Sequence, residues 1–295
     1  AEGEKFRFAP DGSGGCFFSR QAGLGWWSGG YITFDPPGSC SASVRPTSTS
    51  TTIRVPIKGR SYSRGTLRFR ESPTSGLLHL VAQLEVEDYV RGIQELPDSW
   101  PGATLEAQAI ASRTLVVREV LANGPVGDFD TSRLDLCACH ILDNNADQVY
   151  GGFTAEEGHP FWQGRVGGTS GQVITWNNEV ILAKFTSSTG GRTESNEAAG
   201  GTAYPYLVPV DDSMSLSSPA ANPFARWTRA VGQSQLGVIY GFTWLNDARV
   251  ASLNESGTVA AVTLQGIIAG RPAEKVVSGT ELSESLGLYS SYFDI

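Results

Sequence analysis

The stretch that decides the fold runs from Leu84 to Val120 and reads LEVEDYVRGIQELPDSWPGATLEAQAIASRTLVVREV. It begins with a short apolar run and enters a turn that holds one acid, Glu95, ahead of Leu96 and Pro97. Proline fixes its own backbone angle and restricts the preceding residue to extended geometry, so this turn should be rigid. A long Ala-rich segment with few charges follows, which is typical of a largely buried helix. We therefore expect a carboxylate held in a rigid turn at the N-terminal side of a buried helix.

The Ala-rich segment has the periodicity of a helix. Its apolar stripe consists of Leu105, Ala109, Ser112, Val116 and Val120, which follow one another at intervals of three or four residues. Pro101 suits the first turn of such a helix, because a backbone N–H is not needed there.

Short alternating patterns on either side of this helix predict β-strands. Strand-like runs occupy 62–69 and 77–86, the second with Leu80, Ala82 and Leu84 on one face, and further runs occupy 172–176 and 180–185. The pair Asn177-Asn178 suits the turn of a hairpin between the last two strands. The chain thus predicts an α+β fold rich in strands, with the Ala-rich helix at its centre and the turn with the acid on its N-terminal side.

The N-terminal part differs in composition from the rest. It is rich in Gly, Ser, Thr and Pro, and only short strand-like patterns interrupt it. We predict an N-terminal β-rich extension over residues 1–59 and one further domain, with the site chemistry, over residues 60–295.

Charge and composition exclude several classes of protein. The chain has 295 residues, of which 40% are hydrophobic, and this is enough for one large domain or two smaller ones. Its formal net charge of −8 argues against a general nucleic-acid binder or a basic membrane-surface module. No apolar run approaches the roughly 20 residues of a membrane span. The start at Ala1 fits either removal of a signal peptide or trimming of the N-terminus.

The four cysteines predict disulfide or metal chemistry. Cys16 and Cys40 lie in the Gly/Ser-rich region, where a disulfide would stabilise a weakly cored segment, and we expect this pair together with export. Cys137, Cys139 and His140 could supply three ligands of a tetrahedral zinc site. Because adjacent residues are strained as ligands of one metal, a disulfide or free thiols are favoured at Cys137 and Cys139, and no cofactor is predicted.

Six motifs of the chain occur together and in order. They are Tyr89–Ile93 with Glu95-Leu96-Pro97, Trp100-Pro101 with the helix over 105–114, Gln148–Gly152, Ser187–Thr193, Pro205-Tyr206-Leu207 and Leu286–Ser291. On these residues the chain resembles the stage II sporulation protein D / amidase-enhancer family of bacterial cell-wall proteins, with Leu96 where Met is usual. The resemblance covers residues 60–295 and leaves the N-terminal extension unexplained.

The resemblance implies a secreted or wall-associated lytic transglycosylase. Such an enzyme cuts peptidoglycan between N-acetylmuramic acid and N-acetylglucosamine, in strands without stem peptides, and its catalytic acid falls on Glu95. The implied partners are these glycan strands and a cell-wall amidase. The residues expected to contact the glycan are Gln108, Arg113, Tyr150, Ser187, Ser188, Thr189, Gly190, Gly191, Thr193 and Tyr206. For Gln108 and Arg113 a structural role is also open, in which each holds a loop and Arg113 pairs with a buried carboxylate.

The residue types agree with this chemistry. Cleavage of a glycosidic bond needs a proton at the leaving oxygen, and a carboxyl group can supply it near neutral pH when apolar surroundings raise its pKa. Leu96, Trp100 and the helix are expected to provide such surroundings. A hydrolase needs a second carboxylate, whereas in a lytic transglycosylase the C6 hydroxyl of the sugar attacks C1. The neighbouring acids Asp88, Asp98 and Glu106 are interpreted as capping or solvated, which favours transglycosylation.

Two other functions stay open. The first is a wall-binding module that stimulates a separate amidase and does not depend on Glu95. The second is a secreted surface-interaction protein, suggested by the extension and by Trp26-Trp27, whose rings could stack on sugars or pack in a core. An acid in an apolar turn favours the enzyme, because a pure binding surface does not need one.

Overall fold

The chain divides into two compact units, Ala1–Phe185 and Thr186–Ile295, and each is described by itself. The computed structural model describes residues 5–10, 16–21, 30–34, 41–93, 95–217 and 222–295, with side chains from residue 41 onward. Trp26-Trp27 and the predicted Cys16–Cys40 disulfide lie outside the residues whose side chains are described, so both stay predictions.

Antiparallel strands form the N-terminal part of the first unit. The strands are β1 (Lys5–Pro10), β2 (Cys16–Gln21), β3 (Gly30–Phe34), β4 (Ser41–Pro46), β5 (Ile53–Val55), β6 (Arg60–Tyr62), β7 (Thr66–Glu71) and β8 (Leu78–Gln83). In a four-stranded sheet the order is β3, β4, β7 and β8, whereas β1 pairs with β2 and β5 with β6. The predicted boundary between residues 1–59 and 60–295 stays a prediction, and the paired strands β4 and β7 come from opposite sides of it.

Helices pack against these strands. They are α1 (Val86–Arg91), α2 (Gly102–Asn123), α3 (Thr131–Leu136), α4 (Phe153–Glu157) and α5 (Pro160–Gly168). The buried members of the hydrophobic cluster that joins them are Tyr62, Leu67, Val90, Ile93, Leu105, Ala109, Tyr150, Trp162 and Val166. Strands and helices thus share one core, and the α+β fold predicted from the sequence is confirmed.

The predicted Ala-rich helix is α2, which follows Pro101 directly. Leu105 and Ala109 on its predicted stripe are 1% and 0% exposed. The prediction that the buried stripe extends to Val120 is wrong, since Val120 is 38% exposed and the last turn of the helix faces solvent. The helix ends at Gly124, whose φ of +66° lies in the left-handed region that favours glycine.

Arg113 ties α2 to its neighbours. Its Nε and Nη2 donate to the two carboxylate oxygens of Glu87 on α1, at 2.8 and 2.9 Å. The guanidinium also donates to the carbonyl oxygens of Val166 and Gln172. Burial raises the pKa of Glu87, but the hydrogen bonds from Arg113 and from the Gly171 N–H outweigh it, so that this pKa lies below its ordinary value of 4.5.

The predicted hairpin is present but much shorter than expected. Its strands are β9 (Thr175–Trp176) and β10 (Glu179–Val180), joined by Asn177 and Asn178 with φ of +49° and +66°. Two central residues with positive φ are typical of the type I′ turn, so the predicted turn is confirmed. Directly before β9, the Ile174 N–H donates to Thr114 Oγ1 on α2, so this N–H is not used in the hairpin.

The second unit is built on an antiparallel sheet in the order β11 (Trp244–Leu253), β12 (Val259–Ile268) and β13 (Arg271–Ser278), with helices α6 (Gln233–Tyr240) and α7 (Gly279–Leu286). Gly279 lets α7 approach β12, since a Cβ there would overlap the backbone of Val259. Within the described ranges, no helix is long and apolar enough to cross a membrane.

The Arg113–Glu87 pair yields a stability prediction. Arg113→Gln leaves Glu87 without its partner and should lower the free energy of unfolding of the first unit by about 3 kcal/mol. The matched control is Arg165→Gln, because the pair of Arg165 with Glu106 is 45% and 41% exposed, and its loss should cost less than about 1 kcal/mol. Hydrogen exchange of the α2 amides across a urea titration measures both. Equal losses of unfolding free energy in the two variants would show that the Arg113–Glu87 pair stabilises the unit no more than the exposed pair does.

The same pair makes stability depend on pH. Because the pKa of Glu87 is lowered on folding, the stabilisation is present above its ordinary pKa of 4.5 and is lost as the pH falls through the lowered value. The difference between the wild type and Arg113→Gln should therefore shrink in acid. A difference that stays constant from neutral pH to well below 4.5 would contradict this linkage.

Candidate active site

Glu95 lies on the connection between α1 and α2 and is half-buried. Its Oε1 accepts a 2.6 Å hydrogen bond from the backbone N–H of Val149, which is 54 residues farther along the chain. No donor among the described residues reaches Oε2. One carboxylate oxygen is therefore held by the fold, and the other remains available to a ligand.

The turn that carries this acid is aligned by close backbone contact. Ile93 forms an antiparallel bridge with Tyr150, and the Gly151 N–H donates to the Gly92 carbonyl at 2.7 Å. A Cβ on Gly92 would lie 2.9 Å from Cζ of Tyr150 and closer still to its Cε2. Glycine is needed here because no side chain fits between the two segments.

Tyr150, expected as a glycan contact, is a core residue that is only 7% exposed. Its ring stacks on Tyr89 at 5.4 Å and on Tyr62 at 6.2 Å between centroids. Burial raises the pKa of the Tyr150 and Tyr89 hydroxyls. The Tyr89 hydroxyl donates to Oε1 of Gln148, which is fully buried, at 2.7 Å. This layer of rings supports the backbone segment that holds Glu95.

The apolar surroundings of Glu95 are one-sided. Leu96 packs against the hydrophobic cluster of the first unit. Trp100 is 43% exposed, and Pro97 is exposed as well. Exposure alone does not place the Trp100 ring relative to the acid, so its expected share in the apolar surroundings of Glu95 stays a prediction.

The neighbouring acids are engaged elsewhere. Asp98 caps α5 by accepting the backbone N–H groups of Phe161 and Trp162. Glu106 pairs with Arg165 at 2.6 Å, and Asp88 pairs with Arg64 at 3.1 Å. The interpretation of these three acids as capping or solvated agrees with the contacts.

Sequence reasoning missed two further acids of this region. Asp143 and Asp147 act on Tyr89: burial raises its pKa most, and the negative charges of Asp147, Asp143 and Glu95 add to the rise. Asp143 forms an ion pair with Arg60 and accepts the Tyr150 N–H at 2.9 Å. Asp147 accepts the Leu142 N–H. Both lie just before the motif that starts at Gln148, but the ion pair of Asp143 with Arg60, which lies 83 residues earlier, could not be read from it.

Arg113 and Gln108, the two residues of α2 that were expected to contact the glycan, differ in burial. Arg113 is 1% exposed and its donors go to protein atoms, so the contacts agree with the structural role that the sequence left open. Gln108 is half-buried and donates from Nε2 to Ser112 Oγ at 3.1 Å along the same helix.

The remaining expected contacts lie in the second unit. They are Ser187, Ser188, Thr189, Gly190, Gly191, Thr193 and Tyr206. Thr189 donates to Asp212 at 2.6 Å and Thr193 to the Val208 carbonyl at 3.0 Å, so these hydroxyls serve the fold. Ser187 is exposed, and Ser188 Oγ accepts from Asn222. The rings of Tyr204 and Tyr206 stack at 5.2 Å.

A carboxylate anchors this loop. Oε2 of Glu194 accepts hydrogen bonds from the hydroxyls of Ser256 and Thr258, and more weakly from the Asn254 amide at 3.4 Å. Next to it, Arg192 forms an ion pair with Glu255 at 2.8 Å. The turn between β11 and β12 thus fixes the loop that ends at Thr193.

The structure shows one of the two favoured states for Cys137 and Cys139, the disulfide. Nε2 of His140 lies 2.8 Å from the carbonyl oxygen of Gly124. The two thiolates that the zinc alternative requires are therefore consumed in this state. No group of three His, Cys, Asp or Glu able to hold a metal occurs in the part of the chain that the structure describes.

The close approach at Gly92 can be tested directly. Gly92→Ala should displace the Tyr150 ring, destabilise the first unit by about 1–3 kcal/mol through overpacking, and shift the turn with Glu95. Gly164→Ala in α5 is the matched control, because a Cβ there meets nothing within 4 Å and should be neutral or stabilising. Urea titration with hydrogen exchange gives the stabilities. A Gly92 variant as stable as the control would mean that Tyr150 is not packed as described.

A comparison with known protein families matches the segment that carries the candidate active site. A family model described as "Stage II sporulation protein" matches residues 74–176, which include the Glu95 turn and its Val149 contact. Stage II sporulation protein D of Bacillus subtilis (strain 168) is 28% identical over 280 residues, covering 89% of this chain and 75% of that protein. Its counterpart in Bacillus amyloliquefaciens is 29% identical, covering 76% of this chain and 65% of that protein.

A third relative is the amidase enhancer of Bacillus subtilis (strain 168). It is 28% identical over 202 residues, covering 66% of this chain but only 24% of the enhancer. In these comparisons the chain resembles the stage II sporulation protein D and amidase-enhancer proteins of bacteria.

Proposed function

We propose that this protein is a lytic transglycosylase of the cell wall, secreted or wall-associated. It would cut peptide-free peptidoglycan strands between N-acetylmuramic acid and N-acetylglucosamine, with Glu95 as the acid and then the base. The names of the relatives support a role in the wall, in sporulation or beside an amidase. The observation that carries the enzymatic proposal is the Glu95 carboxyl, held by one oxygen and open at the other.

The hydrogen bond at Oε1 suits Glu95 for the role of proton donor, because it leaves the other oxygen to carry the proton. In the protonated carboxyl group, Oε1 is the carbonyl oxygen and accepts the Val149 N–H, while Oε2 carries the proton. This arrangement directs the proton away from the fold and toward a ligand. A general acid has to reach the leaving oxygen of the glycosidic bond in this way.

The neighbouring carboxylates support transglycosylation rather than hydrolysis. Asp88, Asp98 and Glu106 are each occupied by an arginine or by backbone N–H groups. The two further acids of the region are engaged as well, since Asp143 pairs with Arg60 and Asp147 accepts the Leu142 N–H. Without a second carboxylate to activate water, the best-placed nucleophile is the C6 hydroxyl of the muramic acid residue, because an intramolecular attack costs less entropy.

The reaction then takes two proton transfers. Glu95 gives its proton to the bridging oxygen as the bond from C1 to that oxygen breaks, and N-acetylglucosamine leaves with a new hydroxyl. The C6 oxygen bonds to C1, and the Glu95 carboxylate takes the C6 hydroxyl proton. The products are a free hydroxyl end and a 1,6-anhydro-N-acetylmuramic acid end, and the acid is restored.

A second candidate function is a wall-binding module that stimulates an amidase. The name of one relative, amidase enhancer, favours it, although this chain spans only 24% of that protein. Such a module would need the glycan surface but not the carboxyl group of Glu95. The two functions are therefore separated by variants of this residue.

Glu95→Gln should keep the fold and glycan binding but lower turnover at least about a hundredfold, the usual scale for loss of a general acid. Glu106→Gln is the matched control, because Glu106 pairs with Arg165 at the surface and should leave turnover unchanged. Mass spectrometry of the glycan fragments released from peptide-free strands gives the rates. Turnover by Glu95→Gln at the wild-type rate would remove this acid from the mechanism.

Digestion in oxygen-18 water tests the reaction type. Because the C6 hydroxyl and not water attacks C1, we expect unlabelled 1,6-anhydro ends, lighter by one water than hydrolysed ends. Mass spectrometry of the new chain ends distinguishes the two. Oxygen-18 at these ends would mean hydrolysis and would require a second catalytic carboxylate.

A further inference from the structure

The second unit carries an exposed cluster of aromatic rings, which we call the aromatic platform: Phe224, Trp227 and Tyr289. The Tyr289 ring lies 4.6 Å from Phe224 and 5.7 Å from Trp227 between centroids. Phe224 and Tyr289 are 51% and 59% exposed. Contiguous exposed aromatic surface is unfavourable in water, and on a folded protein it marks a binding surface.

A groove of about 1250 Å³ opens beside Trp227. Its floor is apolar, and its charged lining residues among those described are Arg226, Arg229 and Asp294. Both arginines are exposed and have no acidic partner in the described residues. By contrast, Arg249 in the same unit pairs with Asp247. The groove thus carries two arginines without an ion pair in the described residues against one acid, Asp294, on a chain whose net charge is −8.

Hydrogen bonds join the aromatic platform to the loop 187–193, which was expected to contact glycan. The Asn222 side chain donates to Ser188 Oγ and accepts the Phe224 N–H, both at 2.9 Å. On the other side of the loop, a Cβ on Gly190 would lie 3.4 Å from the Tyr292 ring. Hydroxyl groups of the loop and the aromatic rings are therefore neighbours within this unit.

These three features together fit one ligand chemistry. Aromatic faces pack on the C–H faces of sugar rings, and hydroxyl groups exchange hydrogen bonds with sugar hydroxyls. Arginine is suited to bind carboxylate with two parallel hydrogen bonds. A ligand that combines sugar rings with a carboxylate satisfies all three, whereas an uncharged sugar leaves the arginines unused.

N-acetylmuramic acid has this combination once its peptide is gone. Its lactyl group is amide-linked to the stem peptide in intact peptidoglycan, and removal of the peptide leaves a free carboxylate on every muramic acid residue. We propose that the platform and Arg226 with Arg229 form a subsite for N-acetylmuramic acid that recognises this free lactyl carboxylate. The inference rests on the proposed function for the choice of glycan, but it does not depend on Glu95.

The subsite gives a physical reason for choosing stripped strands. A lactyl group still joined to peptide is neutral at this position and bulky, so it offers the arginines no charge. Each free carboxylate adds a charge-assisted hydrogen bond, which is among the stronger interactions available at a surface. The groove therefore recognises the product of an amidase. Removal of the stem peptide is the class of reaction that must precede binding here.

Binding to two matched probes tests this. The probes are peptide-free glycan strands and the same strands with their lactyl carboxylates converted to methyl esters. In full-length protein with Glu95→Gln, which prevents cleavage, the free-acid strands should bind at least about tenfold tighter than the esters. Arg226→Gln with Arg229→Gln should bind both probes alike, at the ester affinity. Arg271→Gln, an exposed arginine on β13, is the matched control and should keep the preference.

Trp227→Ala should weaken binding of both probes, because stacking does not depend on the carboxylate. A preference for the free acid that survives loss of both arginines would overturn the subsite, and so would the absence of any preference in the parent protein. Unchanged binding of both probes by Trp227→Ala would overturn the aromatic platform as a sugar surface.

Free N-acetylmuramic acid and its methyl ester separate this inference from the proposed function. Neither contains a bond that the enzyme could cut, so their binding, followed by NMR titration, is independent of catalysis. If Glu95→Gln still cleaves strands while the monosaccharide shows the arginine-dependent preference, the proposed mechanism fails and the subsite stands. If Glu95 behaves as expected but no preference is seen, the subsite alone fails.

Discussion

The ion pair between Arg113 and Glu87 is the interaction on which the geometry of the candidate site depends. It joins α2 to α1, and the same guanidinium binds the carbonyl oxygens of Val166 and Gln172. A buried cation is tolerated only where its donors are satisfied, so these segments can meet in only one arrangement. Glu95 lies on the connection between the two helices, and their fixed separation determines where the turn can run.

A catalytic carboxyl group has two conflicting needs, and the turn meets both. It has to be immobile, which requires contacts, and it has to keep a free oxygen, which limits them. A single backbone N–H from Val149 holds Glu95 without using its second oxygen. Because backbone cannot rotate away as a side chain can, the donor is preorganised by the pairing of Ile93 with Tyr150.

The sequence predicted the parts of the fold that depend on local rules. The helix α2 and the turn at Asn177-Asn178 follow from periodicity and turn chemistry, which act over a few residues. It could not show that Val149 binds Glu95, because no local pattern encodes a contact across 54 residues. It also placed Tyr150 at the ligand, since a motif identifies a residue as important without distinguishing burial from binding.

The two units each have their own hydrophobic cluster, one built around Leu67 and Leu105 and the other around Leu264 and Leu282. Cooperative unfolding extends as far as a continuous core does, so we expect two unfolding equilibria for this chain rather than one. A single melting temperature does not describe such a molecule. The carboxyl group of Glu95 and the aromatic platform belong to different cooperative units, and heating can abolish the function of one while the other is still folded.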